Sequence, residues 1–239
     1  MARLRGKVTI VTGSSSGIGK AIAVRFAEEG AHVVVAARRR ELCEEVAVQI
    51  RQHGGQAIAI STDVIDEQQV ERLIAETVRK LGHLDILVNN AGIGGGGRIE
   101  DLPTDEFDRI IATNLRGTFL CSRAAFRVMR QVGNGLIINM SSVCGVDAWA
   151  GTGAYSASKY GIMGLTKALA DEGRRFGIKA SAICPGGVAE DLVDASPQTI
   201  ERSGKISPFD IAETAVFLAT LGPNAIVHQI VVDRLGADW

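Results

Sequence analysis

Lys7-Val8-Thr9-Ile10-Val11-Thr12-Gly13-Ser14-Ser15-Ser16-Gly17-Ile18-Gly19 is the stretch whose reading decides the fold. Lys7 to Thr12 is a short β-branched run, which suits a strand. Gly13, Gly17 and Gly19 follow at once, and a helical pattern then continues through Glu29. Strand, glycine-rich turn and helix in succession are the context that a dinucleotide fingerprint requires. Glycines let the backbone approach a pyrophosphate closely, and the helix N-terminus offers it free N–H groups and a favourable dipole. The spacing, G-x-x-x-G-x-G, is one residue off the common G-x-G-x-x-G, so the setting carries the signal.

Outward from that stretch, strands and helices alternate. His32 to Ala37 is an all-apolar strand of the kind buried in a parallel sheet. A helix from about Glu41 to His53, a strand over Gln56 to Ile60 ending near Asp63-Val64, a helix from about Asp66 to Leu81 and a strand over Asp85 to Asn89 follow. Beyond Asn90-Ala91-Gly92 and a loop of four glycines, one long helix is expected from about Thr104 to Arg130. Gly135 to Met140 is the fifth strand. A helix carrying Tyr155 and Lys159 runs to about Phe176, and Ile178 to Ile183 is the sixth strand. An irregular polar segment over residues 187–207, a helix from about Pro208 to Leu221 and a last strand, Val227 to Val232, complete the pattern. The alternation predicts an α/β fold: a single-domain, doubly wound, mostly parallel seven-stranded sheet over residues 1–239, with helices on both faces.

Composition narrows the function classes. The 239 residues are 46% hydrophobic and 22% charged, with a net charge of -1, which provides no general attraction for nucleic acid or an anionic membrane. No apolar run approaches the length of a membrane span, and the first residues lack a signal-peptide core, so a cytoplasmic location is expected. Cys43, Cys121, Cys144 and Cys184 show no metal-type pairing and read as buried free thiols; no metal site is expected.

Two stretches carry the chemistry. Tyr155 and Lys159 stand four residues apart on a helix, so their side chains leave the same face with Cβ atoms about 6 Å apart. An ammonium that close favours the phenolate and is expected to lower the Tyr155 pKa, making the phenol a general acid/base. Ser142, thirteen residues earlier across a glycine-rich loop, can aim a second donor at the same substrate oxygen. Asn114 falls inside the long helix, where its amide competes with the backbone; it either satisfies a neighbouring carbonyl or positions a water beside Lys159. The second stretch is Arg38-Arg39-Arg40, which follows a second strand ending at Ala36-Ala37 without an acid. In a dinucleotide fold an acid at that point favours NAD, whereas an arginine accommodates the 2′-phosphate of NADP. NADP(H) is therefore expected over NAD(H), with Arg38 the first candidate for the phosphate and Arg39 the second; Ser15 and Ser16 stand in the glycine loop where another basic residue often assists.

Taken together, these motifs resemble the short-chain dehydrogenase/reductase family over nearly the whole chain. By that resemblance Gly13, Ser15, Ser16, Gly17, Ile18 and Gly19 form the cofactor loop and Asp63 and Val64 the adenine contact. Asn90, Ala91 and Gly92 lie under the cofactor, and Pro185, Gly186 and Val188 belong to the nicotinamide-side turn. Asn114, Ser142, Tyr155 and Lys159 fall where the family keeps a catalytic tetrad, with Tyr155 and Lys159 also touching the cofactor. The resemblance implies hydride transfer between nicotinamide and a carbonyl or secondary alcohol. It looks most like the 3-oxoacyl-carrier-protein reductase branch, with sugar, polyol, steroid or xenobiotic carbonyls as alternatives and a non-catalytic dinucleotide sensor as the rival from another class. It also implies a homotetramer, or failing that a dimer. Arg98, Arg116, Arg123, Arg127 and Arg130 are candidates for a basic patch facing an acidic carrier protein, or else solvated helix charges. Three departures from the family pattern stand out. Glu190 stands where a carboxamide-binding Thr is usual, the 187–207 segment is short for a substrate lid, and the last residues, Val231 to Trp239, lack the usual glycine pair.

Overall fold

The computed structural model describes residues 2–235. Seven strands, β1 (Val8–Thr12), β2 (His32–Ala37), β3 (Gln56–Ser61), β4 (Ile86–Asn89), β5 (Gly135–Met140), β6 (Ile178–Pro185) and β7 (Gln229–Val232), form one sheet in the order β3-β2-β1-β4-β5-β6-β7. Every neighbouring pair is parallel. The connecting helices are α1 (Gly17–Glu28), α2 (Arg40–Gln52), α3 (Glu67–Leu81), α4 (Thr104–Ile110), α5 (Gly117–Val132), α6 (Gly153–Gly173), α7 (Pro197–Arg202) and α8 (Pro208–Ala219).

Successive strand residues point to opposite faces, and each face has its own apolar layer. Val11, Val33 and Val35 pack with Ile22 and Phe26 of α1, Val46 and Ile50 of α2, and Ile211 and Val216 of α8. Ile10, Val34 and Ala36 pack on the other side with Leu73 and Ile74 of α3 and Leu120 and Met129 of α5. This is why the central strands are largely apolar rather than alternating: a parallel sheet sandwiched between helices has no wet face.

Helix ends follow local chemistry. The Asp66 carboxylate caps α3 by accepting from the backbone N–H groups of Gln68 and Gln69, and Gly82, at φ +89°, ends it. Ser207 and Asp210 form a reciprocal capping box at α8, with Pro208 in its first turn.

Two expectations are corrected. The helix foreseen from Thr104 to Arg130 is continuous in direction but not uniform, because Ile111–Arg116 between α4 and α5 forms a π-helical stretch. The 187–207 segment is not irregular throughout: it contains a 3₁₀ turn, Glu190–Leu192, and α7, and Val188 pairs with Ile206. Of the unusual ending, residues 231–235 are described and residues 236–239 lie outside the described residues.

From β1 the chain winds outward to β2 and β3, and from β4 it winds the other way, so the order reverses between β1 and β4. Open α/β sheets bind ligands in the crevice at the carboxyl ends of such a pair. Here those ends are laced together. Thr12 Oγ1 accepts from the backbone N–H of Asn90 (3.0 Å) and of Ala91 (3.1 Å), and Asn90 Nδ2 donates to the carbonyls of Thr12 and Gly13. A Cβ on Gly13 would lie 2.7 Å from Ala91 Cα, so only glycine allows this approach.

Candidate active site

Two adjoining clefts open at this edge. One is lined by Gly13, Ser15, Ser16, Arg38, Arg39, Asp63, Val64, Ala91 and Gly92, together with Ala37, Thr62, Ile93 and Thr113. The other is lined by Ile18, Asn90, Gly92, Met140, Ser142, Tyr155, Lys159, Pro185, Gly186, Val188 and Glu190, among others. Of the residues singled out in the sequence, Gly17, Gly19 and Asn114 line neither. Gly17 and Gly19 belong to the start of α1 beside the clefts, where a Cβ on Gly19 would stand 2.5 Å from the Gly13 carbonyl.

The first cleft fits the phosphate-bearing half of a dinucleotide. Ser16, at the N-cap of α1, makes no side-chain cap, and the first helical bond runs from Lys20 N–H to the Ser16 carbonyl. The amides before it are of the kind an anion satisfies. Arg39 reaches into the glycine loop, its Nη2 donating to Ser15 Oγ (3.1 Å) and Ser16 Oγ (3.2 Å). Arg38 lines the same cleft, and its carbonyl accepts from Ser61 Oγ. The contact to the loop thus belongs to Arg39, the second candidate rather than the first.

The second cleft holds the reactive groups. Tyr155 and Lys159 share a face of α6, and the ammonium nitrogen lies 5.4 Å from the centre of the phenol ring. Lys159 is buried, and its Nζ donates to the Met140 carbonyl at the end of β5 (2.9 Å). Ser142 stands beside the Tyr155 phenol and acts to lower its pKa. Its hydroxyl oxygen also accepts from the Cys144 N–H (3.1 Å) and lies 3.5 Å from the Pro185 carbonyl.

The electrostatics reverse the expectation drawn from spacing. Burial raises the Tyr155 pKa above its usual value, while Ser142 opposes the rise and the charges of Cys144 and Glu190 add to it. Burial also lowers Lys159 to about 8, with Glu190 pulling the other way. The pocket desolvates the ammonium. Its proton is directed at a backbone carbonyl rather than at the phenol oxygen, so proximity of Cβ atoms did not translate into a lowered phenol pKa.

Asn114 is fully buried in the π-helical stretch. Its Nδ2 donates to the Ile93 carbonyl (3.0 Å) and Ser158 Oγ (3.1 Å), and its Oδ1 accepts from the Ile93 N–H (2.8 Å). Of the two readings, satisfying neighbouring backbone is the one the amide performs. It pins the loop after β4 to α6, which carries Tyr155 and Lys159.

Some partners were not legible in the sequence. Asn89 Nδ2 donates to Ser122 Oγ and Asn139 Oδ1, and Asn139 Nδ2 donates to Thr166 Oγ1, a buried network crossing from β4 and β5 to α5 and α6. Polar residues inside apolar strands were its only signal. The arginines considered as a basic patch are engaged: Arg98 with Glu100, Arg123 with Glu67, Arg127 with Glu71, Arg116 on the Ile65 carbonyl, and Arg130 over the Phe176 ring. The four cysteines are buried and free. Among the described residues no group of three or more His, Cys, Asp or Glu is placed to hold a metal, and no helix is long and apolar enough to cross a membrane.

A parallel sheet with a glycine cradle at its switch point, beside a Ser-Tyr-Lys cluster, defines a dinucleotide-dependent oxidoreductase class. Residues 7–201 match the family model described as short chain dehydrogenase, and the chain belongs to that family. It is an NAD(P)-dependent oxidoreductase acting on CH–OH or C=O groups. It is 39% identical to a 3-oxoacyl-[acyl-carrier-protein] reductase of Staphylococcus aureus, over 94% of this chain and 95% of that one. It is 40% identical to a 3beta-hydroxysteroid dehydrogenase of Mediterraneibacter gnavus, over 84% and 73% respectively. Among solved structures, a dehydrogenase/reductase from Sinorhizobium meliloti 1021 superposes with a TM-score of 0.86 at 37% identity, covering 97% of this chain and 95% of the other.

Proposed function

We propose that this protein is an NADP(H)-dependent ketoreductase in which Tyr155 is the proton donor. The observation that carries the reading is the half-buried phenol beside Ser142, with the Lys159 ammonium 5.4 Å from its ring centre, next to the glycine cradle. Bound nicotinamide supplies the hydride to the carbonyl carbon. Burial keeps the phenol protonated, which suits it to donate as negative charge develops on the carbonyl oxygen. Ser142 hydrogen-bonds that oxygen, and Lys159, held by the Met140 carbonyl, would contact the nicotinamide ribose. Asn114 acts by holding Ile93 and Ser158 in place, and a proton-relay water is not needed to account for its amide. Asp63 and Val64 border the adenine end, and Pro185, Gly186 and Val188 the nicotinamide end.

Arg39, with Arg38 beside it, provides the guanidinium for the 2′-phosphate, a bidentate partner that NAD lacks. For the substrate we favour a 3-oxoacyl thioester, the chemistry named for the Staphylococcus aureus relative. A sterol is the second reading, supported by the Mediterraneibacter gnavus relative and by exposed Ile99, Val146 and Trp149 in the loops near the site. The protein is taken to be cytoplasmic and homotetrameric, with a dimer as the fallback; a groove lined by Phe119, Phe126, Leu165 and Leu169 between α5 and α6 supports association.

The experiment is steady-state reduction of 3-oxoacyl thioesters and 3-ketosteroids with NADPH and NADH. NADPH should give the higher kcat/KM, and Arg39→Asp should reverse that order. Tyr155→Phe should lower kcat by about 10²–10⁴-fold with NADPH affinity retained. Undiminished turnover in Tyr155→Phe rejects the assignment, and dinucleotide binding without activity on any carbonyl favours a sensor. A monomeric mass by light scattering at micromolar concentration rejects both assemblies.

A further inference from the structure

Glu190 heads the 3₁₀ turn Glu190–Leu192, in the segment that returns from β6 across the front of the crevice. The residue as a whole is exposed, yet its carboxylate turns inward. Gly17, the first residue of α1, has φ +55°, and a Cβ placed there would lie 2.7 Å from Glu190 Oε2 and 3.2 Å from Glu190 Cβ. The acid therefore sits against the end of a twelve-residue helix whose Ser16 side chain does not cap it.

The segment is held in that position from both sides. Asp194 Oδ1 pairs with Lys20 Nζ of α1 at 2.6 Å, and the Ala189 N–H donates to the Ile206 carbonyl while the Ile206 N–H donates to the Gly187 carbonyl. Burial raises the Glu190 pKa, the Lys159 charge opposes that rise and favours the carboxylate, and the Asp191 charge adds to the rise.

We propose that the Glu190 carboxylate is an intramolecular anion that competes with the cofactor's pyrophosphate for the N-terminal end of α1, and so sets dinucleotide affinity in this protein. The inference rests on the dinucleotide reading given above. A helix N-terminus stabilises one negative group close to its free amides. A pyrophosphate seated there meets a carboxylate already on the same glycine, and the two repel. Either the 187–194 strap moves away or the phosphate binds less tightly. A neutral side chain at residue 190 removes that conflict without touching the glycine cradle or the arginines.

The test is calorimetric titration of NADPH into the intact protein and into Glu190→Gln, Glu190→Thr and Glu201→Gln. Glu201, on exposed α7, controls for the loss of one negative charge. Glu190→Gln and Glu190→Thr should each tighten NADPH binding by about tenfold, while Glu201→Gln leaves it unchanged. Equal or weaker binding in both Glu190 variants overturns the inference, and so does an equal gain in Glu201→Gln. If neither NADPH nor NADH binds any of the four proteins, the dinucleotide reading itself fails and takes the inference with it.

Discussion

Lys159 carries its charge where burial penalises it. Its pKa falls from 10.5 to about 8, whereas the unfolded chain holds the proton until about 10.5. The sign follows directly. Below pH 8 both states are protonated, and the folded state bears the full penalty. Between about 8 and 10.5 the unfolded state binds more protons, so stability rises with pH through that window. Lys159→Met removes this dependence. Thermal melts of the two proteins at pH 7 and pH 10 should show the wild type gaining on the variant as pH increases. A constant difference across that range would contradict a depressed Lys159.

Asn114 shows how an element can be bent to serve a site. A uniform α-helix from Thr104 to Val132 would place a polar amide in competition with its own backbone; π-helical stretches commonly mark such functional positions. Here the stretch Ile111–Arg116 lets Asn114 reach both polar groups of Ile93, while its own carbonyl accepts from Thr118 Oγ1 at 2.7 Å. Asn114→Ala leaves Ile93 without these partners, at a cost of about 1–3 kcal/mol. The melting temperature should fall by about 2–4 °C for each kcal/mol lost. Amide exchange should quicken at residues 90–97 while β1 and β2 stay protected. Unchanged exchange in that loop would show that the amide is not what holds it.

Across the whole molecule, Glu29 joins parts of the chain far apart in sequence. It receives Arg3 Nη2 and Arg25 Nη2, each at 2.6 Å, and both arginines also pair with Glu213 on α8. Hydrogen bonds from Arg3 are the main cause of its pKa falling from 4.5 to about 2, and the Arg25 charge assists. A depressed carboxylate stabilises the fold above its unfolded pKa and loses that contribution as pH falls through its folded one. Glu29→Gln should therefore melt below the wild type at pH 7, and the gap should close between about pH 4.5 and 2. A gap that persists at pH 2 would mean that the network does not act through the Glu29 charge.

The layered parallel sheet, its glycine cradle and the helix face shared by Tyr155 and Lys159 were legible because each rests on local pattern. β-branched runs bury on both faces, glycine alone tolerates the approach at Gly13, and a spacing of four puts Tyr155 and Lys159 on one helix face. What depends on direction and depth was decided only by tertiary packing. The Lys159 ammonium turns to Met140 rather than to the phenol, so burial sets both pKa shifts. Arg39 rather than Arg38 meets the loop serines, because α2 starts at Arg40 and aims its N-cap side chain across the crevice. Glu190, which the sequence marked only as a missing threonine, comes to rest on Gly17 from 173 positions away in the chain. No local pattern encodes a contact of that separation, since its geometry is fixed by the strap across β6, α1 and the 187–207 segment.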